Sequence, residues 1–187
     1  MDCLIIGKVW PEPSSTAAGR RTQDLITALK LAGWQLHFAS AAQRGAYALD
    51  LDSLGVQTHT IAVNDAAFDG WVEALAPDVV IFDRFMTEEQ FAWRVAQHCP
   101  EALRVLDTSD LHSLRVAREQ SLKKGEPLQL KNETALREIA SIYRCDLTLM
   151  ISEFEVDVLR REFSIADHLL AYWPFSVSLA DASPHYR

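Results

Sequence analysis

The chain has 187 residues, 49% of them hydrophobic, enough for one substantial core and short for two, so a single domain is expected. Its 26 acidic against 18 basic residues give a net charge of -8, which argues against a nucleic-acid footprint and gives no general attraction to anionic lipid. Cys3, Cys99 and Cys145 are odd in number, widely spaced and set among apolar residues, so they read as reduced core thiols, not a disulfide framework or metal cluster.

No apolar run approaches the ~20 residues of a bilayer span. The start, MDCLIIGKV, enters a strand without a basic region and cleavage site, and a cytoplasmic location is the expectation.

In chain order, short apolar runs alternate with helix-length segments. Strands are predicted over 3–9, 35–40, 56–63, 78–83, 103–107, 146–151 and 169–172. Several are nearly continuous in apolar residues, as a parallel strand covered on both faces requires. A helix over 16–32 carries Thr22, Ile26 and Leu29 on one stripe with Leu25 and Ala32 beside it, and Gly33 is its stop. The segment ALDLDSLG, 48–55, reads as helical. A helix over 87–98 starts after Thr87 as N-cap and buries Phe91, Val95 and Trp93. Another over 134–144 aligns Leu136, Ile139, Ala140 and Tyr143. Ser152 and Glu155 make an S-x-x-E capping box before Val156 and Leu159. The polar stretch 123–133 is a loop between helices. After Pro174 periodicity is lost, so 1–175 is expected to be the domain and 176–187 a linker or tail.

This β-α alternation predicts an α/β fold, a doubly wound, mostly parallel Rossmann-like sheet with helices on both faces. Ligands of such sheets bind beyond the carboxyl ends of the strands. Four segments are expected there: the loop 9–20, Asp83 with Arg84, the run Asp107 to His112, and Ser152 with Glu153.

In the first loop, Ala17, Ala18 and Gly19 allow close backbone approach, and the helix start offers N–H groups to a phosphate or carboxylate. Arg20 and Arg21 follow; one of them can turn inward and add a fork of donors, the alternative being pairing with Asp24. In DTSDLHSLR, Asp110 is the expected N-cap, and His112 falls in the first turn, placed to hydrogen-bond a sugar hydroxyl or phosphate oxygen; a packing role is the alternative. Asp83 and Arg84 either serve a ligand or pair with each other.

Other motifs are absent or weak. The chain lacks G-x-G-x-x-G after the first strand, a G-x-x-x-x-G-K-[ST] loop and a G-x-S-x-G elbow. No cofactor and no metal site is expected. Asp50-Leu51-Asp52 matches the D-x-D that some glycosyltransferases use for a metal, but reads as a solvated face.

Four stretches, WPEPSSTAAGRRTQDLITALKLAGWQLHFAS, PDVVIFDRF, VLDTSDLHSLRVARE and RCDLTLMISEFEVDVLRREF, together resemble the N-terminal half of bacterial glycosyltransferases of the GT-B architecture, the group 1 or family 4 type. The resemblance implies an acceptor-side domain facing a donor-binding domain across a cleft. It implies Gly19 and Arg20 near the donor diphosphate or acceptor, and His112, the candidate catalytic residue, near the transferred sugar. Arg21, Asp83, Arg84, Asp110 and Ser152 complete the expected substrate- and donor-binding set. The implied partners are a nucleotide-sugar donor, a carbohydrate or lipid-linked acceptor and the C-terminal domain, without which little transfer is expected. Two other readings stand beside it: half of a sugar-nucleotide 2-epimerase, and a stand-alone binding or scaffold module.

Overall fold

The computed structural model describes residues 1–176. Strand β1 (Asp2–Gly7) is followed by α1 (Ala17–Leu31), β2 (Gln35–Ser40), β3 (Gln57–Thr60), α2 (Ala67–Leu75), β4 (Val79–Asp83) and α3 (Phe85–His98). The chain continues through β5 (Leu103–Asp107), α4 (His112–Lys124), α5 (Glu133–Arg144), β6 (Leu147–Met150), α6 (Glu153–Phe163) and β7 (Leu170–Tyr172).

The strands form one sheet in the order β3-β2-β1-β4-β5-β6-β7, and each neighbouring pair is parallel. Alternation within the central strands explains this arrangement. In β1, Leu4 and Ile6 enter one core with Val80, Phe82 and Leu106, whereas Cys3 and Ile5 enter the other with Val79, Ile81 and Val105. Successive side chains point to opposite faces, and here both faces are apolar, so helices must cover both. Helix α1 supplies Leu25 and Ile26 to one face; the other receives Val72 of α2, Phe91 and Val95 of α3, Leu114 of α4, Ile142 of α5 and Leu159 of α6. The predicted doubly wound α/β fold is thus present, with unequal helical cover. Among the described residues no helix is long and apolar enough to cross a membrane. The three cysteines are free and buried, and burial pushes the thiols of Cys3 and Cys145 up to about 12.

Several local expectations are corrected. Residues 48–50 are irregular and 51–55 form turns, not a helix. Asp50 accepts the Ser53 N–H through its side chain and the Ser53 hydroxyl through its carbonyl, and Asp52 accepts from Thr58; such bonds compete with helical ones. Helix α2, absent from the sequence reading, begins at Ala67 without a side-chain cap. Helix α3 begins at Phe85, so Thr87 lies within its first turn, buried, instead of capping it. Trp93 is exposed and carries the Arg94 guanidinium on its ring. In α5 the buried face is Ala135, Glu138, Ser141 and Ile142, leaving Leu136 and Tyr143 exposed. Two polar residues turn inward because each has a partner: Ser141 donates to the fully buried Glu88 of α3, which also binds Arg144, and Glu138 reaches the start of α4. The tail expected over 176–187 lies outside the described residues after 176.

Candidate functional site

The sheet grows outward in one direction from β1 to β3 and in the other from β4 to β7, so its order reverses between β1 and β4. Connections leave that boundary in opposite directions and open a crevice at the carboxyl ends. Lys8 follows β1, Asp83 and Arg84 end β4, and residues 107–110 end β5. Asp83 accepts the backbone N–H of Lys8 at 3.2 Å, two N–H groups of Arg84 at 3.0 Å each, and the Ser109 hydroxyl at 3.3 Å. The three strand ends therefore meet on one carboxylate.

Arg84 achieves its position at a cost. Its φ of 72° and ψ of 156° lie in a region that favours glycine, worth about 1–3 kcal/mol of local strain. The strained residue is held by its N–H to the Asp107 carbonyl at 2.8 Å and by its carbonyl, which accepts from Thr87 at 3.1 Å. Ser109, on the neighbouring loop, also has a positive φ, 58°.

Helix α1 opens beside this cluster. Thr16 caps it by accepting the Gly19 N–H at 3.0 Å, and its first turn holds no acid. Gly19 has a packing reason to be glycine: an added Cβ would meet the Glu12 backbone at 2.5 Å. A cavity of about 180 Å³ is lined by Trp10, Thr16, Ala18, Gly19, Asp83 and Arg84 among others.

The paired arginines diverge. Arg20 is exposed and bonds Asp24 one turn on, at 3.2 Å. Arg21 turns inward and is buried: its Nε donates to both Asp107 oxygens, at 2.8 and 3.0 Å, and its Nη1 donates to the Trp173 carbonyl at 2.6 Å. It ties α1 to β5 and to the chain after β7. Burial pushes the Asp107 carboxyl up, and the Arg21 guanidinium opposes that push.

Helix α4 starts differently. Asp110 does not cap it. Glu138 of α5 accepts the N–H groups of His112 and Ser113, both at 2.7 Å, and Glu155 of α6 accepts that of Leu111 at 3.0 Å. Asp110 instead bonds Arg115 at 2.7 Å and lies 3.1 Å from Nδ1 of His112. Ser152 caps α6 by accepting the Glu155 N–H at 3.4 Å; the Glu155 carboxylate crosses to α4 instead of returning to close the box.

His112 stands edge-on to Phe85, with ring centres 5.6 Å apart. Burial pushes its pKa down, opposed by Asp110 and assisted by Arg115 and Arg84. Its Nδ1 faces the Asp110 carboxylate and the Asp110 carbonyl, both acceptors. In the neutral ring those acceptors place the proton on Nδ1 and leave Nε2 as the acceptor.

Lys8 was missed by the sequence reading. Its ammonium is pushed down first by burial, then by Arg84 and Arg115, with Asp83 opposing. Lys8 follows β1, Arg84 follows β4 and pairs with Asp83 at 3.0 Å, and Arg115 stands in the first turn of α4, paired with Asp110 at 2.7 Å. The signal available in the sequence was a lysine directly after the first strand. Among the described residues no group of three or more His, Cys, Asp or Glu is placed to hold a metal ion.

The structure brings Gly19, Asp83, Arg84, Asp110 and His112 to the same edge, with Arg21 beneath it. Arg20 lies on the outer side of α1, and Ser152 belongs to the start of α6.

No family model and no curated protein sequence matches the chain. Solved structures do match it. The chain is similar to sucrose-phosphate synthase from Thermosynechococcus elongatus, with 14% identity and a TM-score of 0.64 over 96% of this chain and 49% of that one. It is similar to the lipopolysaccharide outer core galactosyltransferase WaaB, with 14% identity and a TM-score of 0.58 over 95% and 47% of the two chains. The UDP-GlcNAc 2-epimerase from Methanocaldococcus jannaschii matches with 13% identity and a TM-score of 0.54 over 92% and 45%. The chain thus has the fold of one GT-B domain and spans about half the length of each of these proteins.

Proposed function

We propose that residues 1–175 form the acceptor-side half of a glycosyltransferase, which moves a sugar from a nucleotide-sugar donor to a carbohydrate acceptor once a donor-binding domain faces it. The observation that carries this reading is the meeting of the ends of β1, β4 and β5 on Asp83, which holds the Lys8 N–H, the Arg84 guanidinium and the Ser109 hydroxyl beside the acid-free start of α1 and a cavity of about 180 Å³. Such a set suits a diphosphate whose charge grows as its bond to the sugar breaks. The acceptor hydroxyl forms the new bond to the sugar carbon, the old bond leaves its electron pair on the diphosphate, and the hydroxyl proton passes to the departing phosphate. His112 Nε2 accepts a hydrogen bond from the sugar and orients it. The cations and the helix start compensate the diphosphate without a metal.

Titration of the 187-residue chain with inorganic pyrophosphate and with uridine diphosphate, followed by two-dimensional NMR, tests the reading. Shifts concentrated at Lys8, Ala18, Arg84 and His112, lost in Lys8→Ala, are expected. Shifts scattered over unrelated surfaces, or none, would overturn it. The similarity to a 2-epimerase supports a second reading, half of an enzyme acting on the nucleotide sugar itself. With the second half supplied, epimerised free sugar instead of a new glycoside would favour that one.

A further inference from the structure

Helices α3, α4 and α5 meet around one aromatic ring. Phe85 opens α3, follows the strained Arg84 directly and is buried. Its ring meets that of His112, the first residue of α4, with 81° between the two planes. The Arg137 guanidinium of α5 stands over the Phe85 ring, 4.9 Å from its centre. Glu89, one turn beyond Phe85 in α3, holds Arg137 at two points: Nε donates to Oε1 at 2.9 Å and Nη2 to Oε2 at 2.5 Å. Glu89, Arg137, Phe85 and His112 thus form a file that runs from a half-exposed ion pair to the edge of the crevice.

Each link fixes the plane of the next. Two parallel bonds to one carboxylate set the plane of the guanidinium, and a planar cation over a ring takes up one of its faces. The ring in turn packs edge-to-face against a second one. The polar contacts of His112 do not fix its plane by themselves. All of them gather at Nδ1: the Asp110 carboxylate at 3.1 Å, the Asp110 carbonyl at 3.3 Å and the Glu138 carboxylate at 3.7 Å. A ring held at one nitrogen tilts about that point; Phe85 blocks the tilt. The backbone of His112 is held from α5 as well, by Glu138, the neighbour of Arg137, at 2.7 Å. Two consecutive residues of α5 therefore reach His112, one through its N–H and one through Phe85. A half-exposed ion pair adds little to stability, so the use of this one lies in its geometry.

We infer that Arg137, held by Glu89, is a positioning residue for His112: it fixes the Phe85 ring, and Phe85 fixes the plane of the imidazole. The inference rests on the proposed transferase reading only for the task that His112 performs at the sugar. Its test is the ¹⁵N–¹H spectrum of the imidazole in the 187-residue chain, followed across pH in the wild type, Arg137→Ala, Arg137→Lys, Glu89→Gln, Phe85→Leu and the double variant Phe85→Leu with Arg137→Ala. Asp110, Arg115, Arg84 and Glu138, the charged groups that face His112, are the same in all of them. In Arg137→Ala the ring should loosen and meet water, so that His112 titrates nearer its ordinary value of about 6.5 and loses its preference for one tautomer. Glu89→Gln should move it the same way by less. Arg137→Lys keeps the charge and loses the planar fork, so it should resemble Arg137→Ala more than the wild type. Once Phe85 is leucine the intermediary is gone, and Arg137→Ala should add no further shift.

Three results would overturn the inference: a His112 titration and tautomer unchanged in Arg137→Ala, a wild-type spectrum in Arg137→Lys, or the same shift from Arg137→Ala with and without Phe85, which would make Arg137 act by its charge alone. Pyrophosphate titration of the same samples keeps the two readings apart. A His112 that answers to Arg137 in a chain without pyrophosphate shifts at Lys8 would sink the transferase reading and leave the positioning in place; shifts at Lys8 with a His112 indifferent to Arg137 would do the reverse.

Discussion

Two helices begin at the same sheet edge and present opposite electrostatic faces. Helix α1 starts with a neutral threonine cap, no acid in its first turn and a cavity beside it. Helix α4 starts against two buried carboxylates, Glu138 and Glu155, which take the N–H groups of Leu111, His112 and Ser113. A helix start attracts anions through its unpaired N–H groups and dipole. At α4 the protein supplies its own anions; at α1 it leaves room for a foreign one. On the proposed reading, α1, not the polar run around Asp110, is the helix start that would receive a ligand phosphate.

The largest expected effect comes from detaching α1. Arg21 and Asp107 are both buried and bonded through two nitrogens, so removing one leaves an uncompensated buried charge. Arg21→Ala should cost about 3–5 kcal/mol in urea unfolding, whereas Arg21→Met with Asp107→Leu recovers most of it. If the single variant is as stable as the wild type, α1 is held in place by something other than this pair.

Unstoppering α4 comes next. Glu138→Ala strands two buried N–H groups, which should cost about 2–3 kcal/mol, and phosphate ions should restore part of the loss because the start of α4 then resembles that of α1. Chemical denaturation with and without phosphate reads both effects.

The pH dependence separates the groups at the start of α4. Burial raises Glu138, so the folded state holds its proton more tightly, and stability falls as pH rises from about 4.3 through the raised value. Burial lowers His112, so the unfolded state holds the proton more tightly, and stability grows as pH rises from the lowered value to about 6.5. Across these windows the stability curve of Glu138→Gln should climb more steeply with pH than the wild type, and that of His112→Gln less steeply. Identical slopes would remove both groups from the titration.

The same contrast explains what the sequence could show. Central strands were legible because apolar residues at every position satisfy both faces of a covered sheet. The inward face of α5 was not, because Glu138 and Ser141 are buried for partners 25 or more positions away: Ser113 and Glu88. Adjacent arginines announced that one could turn in, but the choice of Arg21 depends on Asp107, 86 residues on. Asp110 looked like a cap because its position before the helix is right; the better acceptor came from α5. Lys8 was not among the candidates because one lysine after a strand carries meaning only when the end of another strand, here Asp83, meets it.

The smallest effects test the caps directly. Thr16→Ala removes the one side-chain bond to the Gly19 N–H and should cost about 1 kcal/mol, the usual worth of such a cap. Asp110→Ala should cost less, about 0.5 kcal/mol, since it forfeits a partly exposed pair with Arg115 and no backbone N–H of α4. Thermal or urea unfolding ranks the two. If Asp110→Ala proves the more damaging, Asp110 supports the start of α4 after all, and the two carboxylates from α5 and α6 do not cap it unaided. A ranking in the expected order leaves Asp110 with the one task its geometry suits: accepting from Nδ1 of His112 while it pairs with Arg115.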